Sequence, residues 1–161
     1  MSNLKRRVIY ALAVMLVLIL PACASAPNGA LPETGDGQEP DTTGNLANTS
    51  WRLVSYGEPG SEIPILAETE VTLEFEAGTQ AGGSSGCNSF GAQYEVTDGE
   101  LSFTEIISTL MACEEEGVME QEQLYIQALQ TAGEFELSGD QLTIHYGYGQ
   151  GVLNFERIES S

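Results

Sequence analysis

Gly83-Ser84-Ser85-Gly86-Cys87-Asn88-Ser89-Phe90-Gly91, and further on Ile106-Ile107-Ser108-Thr109-Leu110-Met111-Ala112-Cys113, are the two segments around which this chain reads as organised. The first predicts a Gly/Ser-rich turn, since small residues accept positive φ and close backbone approach without steric penalty. Asn88 suits such a corner because asparagine tolerates left-handed backbone and caps turns with its side chain. The second is an apolar run that ends on a cysteine and the acids Glu114-Glu115-Glu116, just before a helical pattern begins. The two cysteines would pin a loop to a helix entrance.

Period-two alternation surrounds these segments. Thr49 to Tyr56 predicts a half-buried strand with Trp51, the only tryptophan, as a core anchor, and folding is expected to start near Leu46. Gly57 to Pro64 is turn-rich. Val71, Leu73 and Phe75 are expected to point inward, with Thr72, Glu74 and Glu76 outward. Gln93–Val96 and Glu100–Phe103 flank Thr97-Asp98-Gly99, a hairpin signal. Ile106 to Leu110 is apolar enough for a strand or an extended buried segment. Phe135–Ser138 and Gln141–Tyr146 repeat the hairpin pattern around Gly139-Asp140, and Val152–Glu156 closes the sheet. Short, evenly spaced strands of this kind predict a curled antiparallel sheet.

One helix interrupts them. Between Val118 and Ala132 the residues Val118, Leu124, Tyr125, Ala128, Leu129 and Ala132 form one apolar stripe, while Glu120, Gln123, Gln127 and Gln130 face away. Gly133 is read as the helix stop and Glu114–Glu116 as charges before its positive end. A helix with one apolar stripe needs a surface to cover, so it packs on the sheet, and the fold class is α+β with a dominant antiparallel sheet.

The order G-C-N-x-F-x-x-x-Y, a hairpin, I-S-T-x-M-A-C and then E-Q resembles the META domain, the HslJ-like family of bacteria. Its motif residues fall on Gly86, Cys87, Asn88, Ser108, Thr109, Met111, Cys113, Glu120 and Gln121, and the resemblance spans Trp51 to about Glu156. It implies a small, barrel-like sheet with one packed helix. It implies no established chemistry, only a loose link to stress response and drug tolerance.

The amino terminus has its own pattern. Lys5-Arg6-Arg7, an apolar run from Val8 to Leu20, and Leu20-Pro21-Ala22-Cys23 read as a lipoprotein signal peptide over residues 1–22, with Cys23 the lipidated first residue of the mature chain. The alternative is an ordinary cleavage site after Ala24 or Ala26. Residues 23–48 read as a disordered, acidic, Pro/Gly-rich tether and residues 49–158 as the META-like domain. As a flexible coil the tether would span roughly 25–30 Å r.m.s..

Loss of the signal leaves Arg52 and Arg157 against all 24 acids. A surface so acidic repels nucleic-acid phosphates and anionic headgroups, so no nucleic-acid partner is expected. Lipidation of Cys23 leaves Cys87 and Cys113 as an even pair in a disulfide-permissive compartment; two buried free thiols are the competing reading.

Candidate chemistry is thin. His145 is the sole histidine, so any triad would have to join it to Ser84, Ser85 or Cys87; it reads instead as a solvated strand residue. Gly82, Gly83, Gly86 and Gly91 lack the Gly-Lys-Ser/Thr ending of a phosphate loop, and no lysine follows Lys5. Glu114–Glu116 lack the alternating ligand spacing of a calcium loop. No cofactor, metal site or catalytic residue is therefore expected. The expectation is a monomeric, non-catalytic, lipid-anchored protein, exported to the cell membrane or outer membrane, that serves in envelope stress response or drug tolerance or binds a small apolar or peptide partner. The alternative is an envelope hydrolase using carboxylates in the mouth of the sheet.

Overall fold

The computed structural model describes residues 45–159; the segment read as a signal peptide, Cys23, and the segment read as a tether up to residue 44 lie outside the described residues. Nine strands run in chain order: β1 (Thr49–Gly57), β2 (Ile63–Pro64), β3 (Thr72–Phe75), β4 (Gln80–Ser84), β5 (Ser89–Thr97), β6 (Glu100–Ser108), β7 (Ala132–Ser138), β8 (Gln141–Tyr146) and β9 (Gly151–Ile158). The helix α1 (Val118–Gln130) stands between β6 and β7. The sheet order is β2-β1-β3-β4-β5-β6-β7-β8-β9, and β9 pairs back onto β1, so eight strands close an antiparallel barrel with β2 as a short appendage. Closure leaves no free outer edges except where a ladder is incomplete.

One ladder is incomplete. β6 meets β7 only at Glu100↔Glu134. The remainder of that seam is where α1 packs, and the helix supplies the apolar cover that the missing strand contacts do not.

The interior is filled by side chains that alternate inward along the strands. Trp51, Leu53, Leu73, Phe75, Leu101, Phe135, Leu142, Ile144, Leu153 and Phe155 are all buried. Trp51 also stacks under the Arg157 guanidinium, 4.4 Å from the ring centroid, which covers one face of the tryptophan with a cation. From α1, Tyr125 enters edge-on between Phe90 and Phe155, with centroid separations of 5.7 and 6.5 Å. Such edge-to-face pairs contribute about 0.5–1.5 kcal/mol each beyond burial.

The short hairpins follow their turn chemistry. Asp98 (φ 55°) and Gly99 (φ 86°) form a two-residue turn closed by Thr97↔Glu100, the positive-φ pair that matches strand twist. Ser138↔Gln141 closes a second two-residue turn, in which Gly139 (φ 58°) alone takes positive φ.

Several expectations need correction. Residues 83–91 are not one turn: β4 continues to Ser84 and β5 begins at Ser89, leaving Ser85–Asn88 as the turn. Gly83 is required within β4, since it has φ 150° and any Cβ there would collide with the Thr72 backbone. For the same reason Thr72 faces a neighbouring strand and is buried, not outward, with Oγ1 accepting the Ser84 N–H at 3.0 Å. Ile106 to Leu110 is not a buried segment: Ile107 and Leu110 are 73% and 97% exposed. A bulge between Gly91 and Gln93, with Glu105 at φ 52°, breaks the alternation before Ile107, and Leu110 lies beyond the end of β6 at Ser108.

At the helix end, Leu124 is exposed and Ala132 already belongs to β7. Gly133 is not the stop. The last turn is closed at Thr131, whose N–H bonds the Ala128 carbonyl and whose hydroxyl donates to the Gln127 carbonyl. Leu46 is buried, as a fold starting near it requires, so the folded unit begins ahead of residue 49.

Candidate functional site

Turn Ser85–Asn88, loop Thr109–Cys113 and the first half of α1 meet at one end of the barrel. Positive φ at Gly86 (109°) reverses the chain so that Ser85 and Asn88 both face the helix. There Glu122 is buried and accepts three hydrogen bonds. Oε2 takes the Ser85 hydroxyl and the Asn88 N–H, each at 2.8 Å, and Oε1 takes Asn88 Nδ2 at 2.7 Å. Burial pushes the Glu122 pKa upward, but hydrogen bonds from the Ser85 and Asn88 side chains and from the Asn88 backbone, with the Cys87 N–H close by, outweigh it and hold the carboxyl below its usual range. It is an ionised acceptor around which the turn is built.

Asn88 passes this order on to the next loop. Its Oδ1 accepts the Met111 N–H at 2.7 Å and the Thr109 hydroxyl at 2.8 Å, and its Nδ2 also donates to the Met111 carbonyl at 3.1 Å. The amide thus serves Met111 as a neighbouring strand would, with its hydrogen-bonding capacity used in full. Cys87 and Cys113 sit at disulfide distance beside it, with α-carbons 6.0 Å apart, inside the ~7 Å limit for a bridge.

The preceding helix residue holds a third segment. Gln121 Oε1 accepts the Leu66 N–H at 2.8 Å and Nε2 donates to Thr69 Oγ1 at 2.9 Å. Tyr125, one turn on, donates its hydroxyl to the Thr72 carbonyl at 3.2 Å, and burial raises its pKa so that it stays protonated. Among the described residues no buried side-chain N or O atom lacks a partner.

Of the motif residues, the structure therefore brings together Gly86, Cys87, Asn88, Thr109, Met111, Cys113 and Gln121. Two stand apart. Glu120 is exposed, and the buried acid is Glu122, because the helical stripe through Val118 and Tyr125 passes through position 122 and not 120. Ser108 is exposed and its hydroxyl reaches only the Ser89 and Thr109 carbonyls. Glu122 was missed in the sequence, although its spacing from Val118 and Tyr125 places an acid on the inward face. An inward glutamate is a signal in itself, because it needs buried donors.

The remaining candidates do not converge on a reaction centre. His145 is half-buried with Nε2 3.6 Å from Glu136. Ser85 is committed to Glu122 and Cys87 to Cys113. Glu114, Glu115 and Glu116 are all exposed, and among the described residues no group of three or more His, Cys, Asp or Glu could hold a metal ion. Next to these acids the loop also displays apolar side chains, Leu110 and Met111, 97% and 60% exposed on a backbone held from both sides.

Comparison with known proteins agrees with this architecture. A protein from Burkholderia xenovorans solved by NMR has a TM-score of 0.65 at 25% identity, over 84% of this chain and all of its own. A DUF4847 family protein from Bacteroides vulgatus shares the fold at a TM-score of 0.52 and 12% identity, over 72% of this chain and 96% of its own. No curated protein matches. The META domain family matches residues 44–159, a span that takes in the barrel, the helix and the pinned corner, and the chain belongs to that family.

Proposed function

We propose that this protein is a non-catalytic, lipid-anchored component of the cell envelope. In this reading Cys23 carries the anchor, and the META domain stands off the membrane to bind another polypeptide through loop Thr109–Cys113. A part in envelope stress response or drug tolerance would follow from such binding. The observation that carries the reading is the contrast within that loop. Asn88 and the Cys87–Cys113 pair immobilise its backbone, while Leu110 and Met111 point into solvent. An ordered backbone that displays apolar side chains has already met the entropy cost of binding, which is how rigid epitopes gain affinity. The filled barrel interior favours a surface partner over a small apolar ligand. Glu122, the one buried carboxylate among the described residues, has both oxygens bonded, which supports a structural and not a hydrolytic role.

Two measurements test the proposal. Metabolic labelling with an alkyne fatty acid should mark the chain and Cys23→Ala should abolish the label; a parent chain that takes up no label would remove the anchor. A photo-crosslinking side chain at Met111 should give discrete adducts in intact cells that the same group at exposed Thr79 does not. Equal patterns at the two positions would remove the loop as a contact surface.

A further inference from the structure

Beside the pinned loop, a groove of about 500 Å³ runs between Ser108–Leu110 and the outer face of α1, from Met119 to Gln130. Its strand wall is the end of β6 at Ser108 and the chain that continues it through Thr109 and Leu110, a stretch without a β7 partner, since β6 pairs with β7 at Glu100 alone. Thr109 donates its N–H to the Ser89 carbonyl at 3.0 Å, toward β5. In an antiparallel ladder neighbouring residues alternate, so the Ser108 N–H and carbonyl point the other way, to the open edge. A sheet edge facing a helix across a slot is the geometry in which domains add an extended peptide as an extra strand. The helix between Met119 and Gln130 is roughly 17 Å long, the length of about five residues in a strand.

Charge decides the kind of peptide. The cations among the described residues, apart from His145, are Arg52 and Arg157, and they lie on β1 and β9 against Glu156 and Asp140. The groove has Glu120 on its rim, Glu114–Glu116 lie just ahead of the helix, and its apolar contacts are Leu110, Met119 and Ile126. We infer that this groove binds an extended segment of a partner protein, alternating apolar and basic residues, which adds as a strand to β6 beside α1. The inference rests on the reading of the domain as a polypeptide-binding module and names the class of its partner.

The test uses the full chain in detergent micelles, labelled for NMR, and a capped hexapeptide of alternating valine and lysine. Binding should shift the Ser108 amide and slow its hydrogen exchange. N-methylation of alternate peptide residues, in one of the two phases, should weaken binding by about tenfold, the loss of one or two hydrogen bonds. Ser108→Pro removes the outward N–H while leaving the Thr109–Ser89 bond and should cost a similar factor, whereas Ser108→Ala keeps that N–H and should bind as the parent does. A valine–glutamate hexapeptide should not bind. Equal binding of both N-methylated phases, shifts scattered over the acidic surface, binding of the peptide as a helix, or no binding at all would each overturn the strand-addition proposal. Failure here with site-specific adducts still formed at Met111 would leave the binding-module reading standing; loss of both would end it.

Discussion

The two ends of β5 are held by different physics. At its C-terminal end the chain reverses in two residues, Asp98 and Gly99, through backbone conformation alone. At its N-terminal end the reversal through Ser85–Asn88 depends on groups far along the chain: Glu122 on the helix, Met111 in the next loop, and Cys113. The first end is local and its cost is a matter of φ. The second is a buried polar network, in which each group is stabilised only while its partners stay in place. Substitutions should therefore have large effects at one end of the same strand and small ones at the other.

The largest expected effect is at Glu122. Glu122→Ala leaves the Asn88 N–H and one Asn88 Nδ2 hydrogen buried without an acceptor, while the Ser85 hydroxyl keeps the Asn88 carbonyl, which should lower stability by about 4 kcal/mol. Urea denaturation measures it, and a loss under about 1 kcal/mol would mean that water replaces the carboxylate and that the corner is not network-held. Next comes Cys87→Ser, or reduction of the parent. The bridge closes a separation of 26 residues, so its loss should cost about 3.5 kcal/mol on the chain-entropy estimate, with loop Thr109–Cys113 gaining amide exchange first. Alkylation of free thiols in the unreduced, denatured chain should find neither Cys87 nor Cys113. At the other end, Gly99→Ala asks a side chain to adopt φ 86° and should cost only about 1 kcal/mol, leaving the corner's exchange rates unchanged.

The same contrast governs what could be read from the residues. Asp98-Gly99 and Gly139-Asp140 carry their turns in two adjacent letters, and the alternation of Val71, Leu73 and Phe75 carries its inward face. Those features are local, and the structure has them where the pattern puts them. The corner was half legible. Cys87, Asn88 and Met111 stood out as a set, but what joins them is Glu122, and in the run Glu120-Gln121-Glu122-Gln123 only helical phase separates the buried pair from the exposed one. Ile107 and Leu110 misled for the opposite reason. Their composition suits a core, but a bulge in the β5–β6 ladder, which no local pattern announces, turns Ile107 to solvent, and Leu110 lies in the loop past the end of β6.

The smallest expected effect near neutral pH is the titration of Glu122 itself. Its folded pKa lies below the value it has in the unfolded chain, so it contributes stability that is present in full above the unfolded value. That contribution is lost as pH falls through the folded value, since the unfolded state then binds the proton first. The other carboxylates work against a clean reading: their mutual repulsion on so acidic a surface weakens as they protonate, which favours the folded state over the same range. The difference between the parent and Glu122→Gln isolates the one group. The glutamine is less stable at pH 7, because its amide turns a second donor toward Ser85 or Asn88, but it carries no proton linkage at this site. The stability gap between the two should be constant from pH 7 to about pH 5 and should narrow below about pH 4.5, where the parent begins to lose what the variant never had. A gap that stays constant into acid, or that widens, would mean that Glu122 is not the ionised acceptor on which the corner closes.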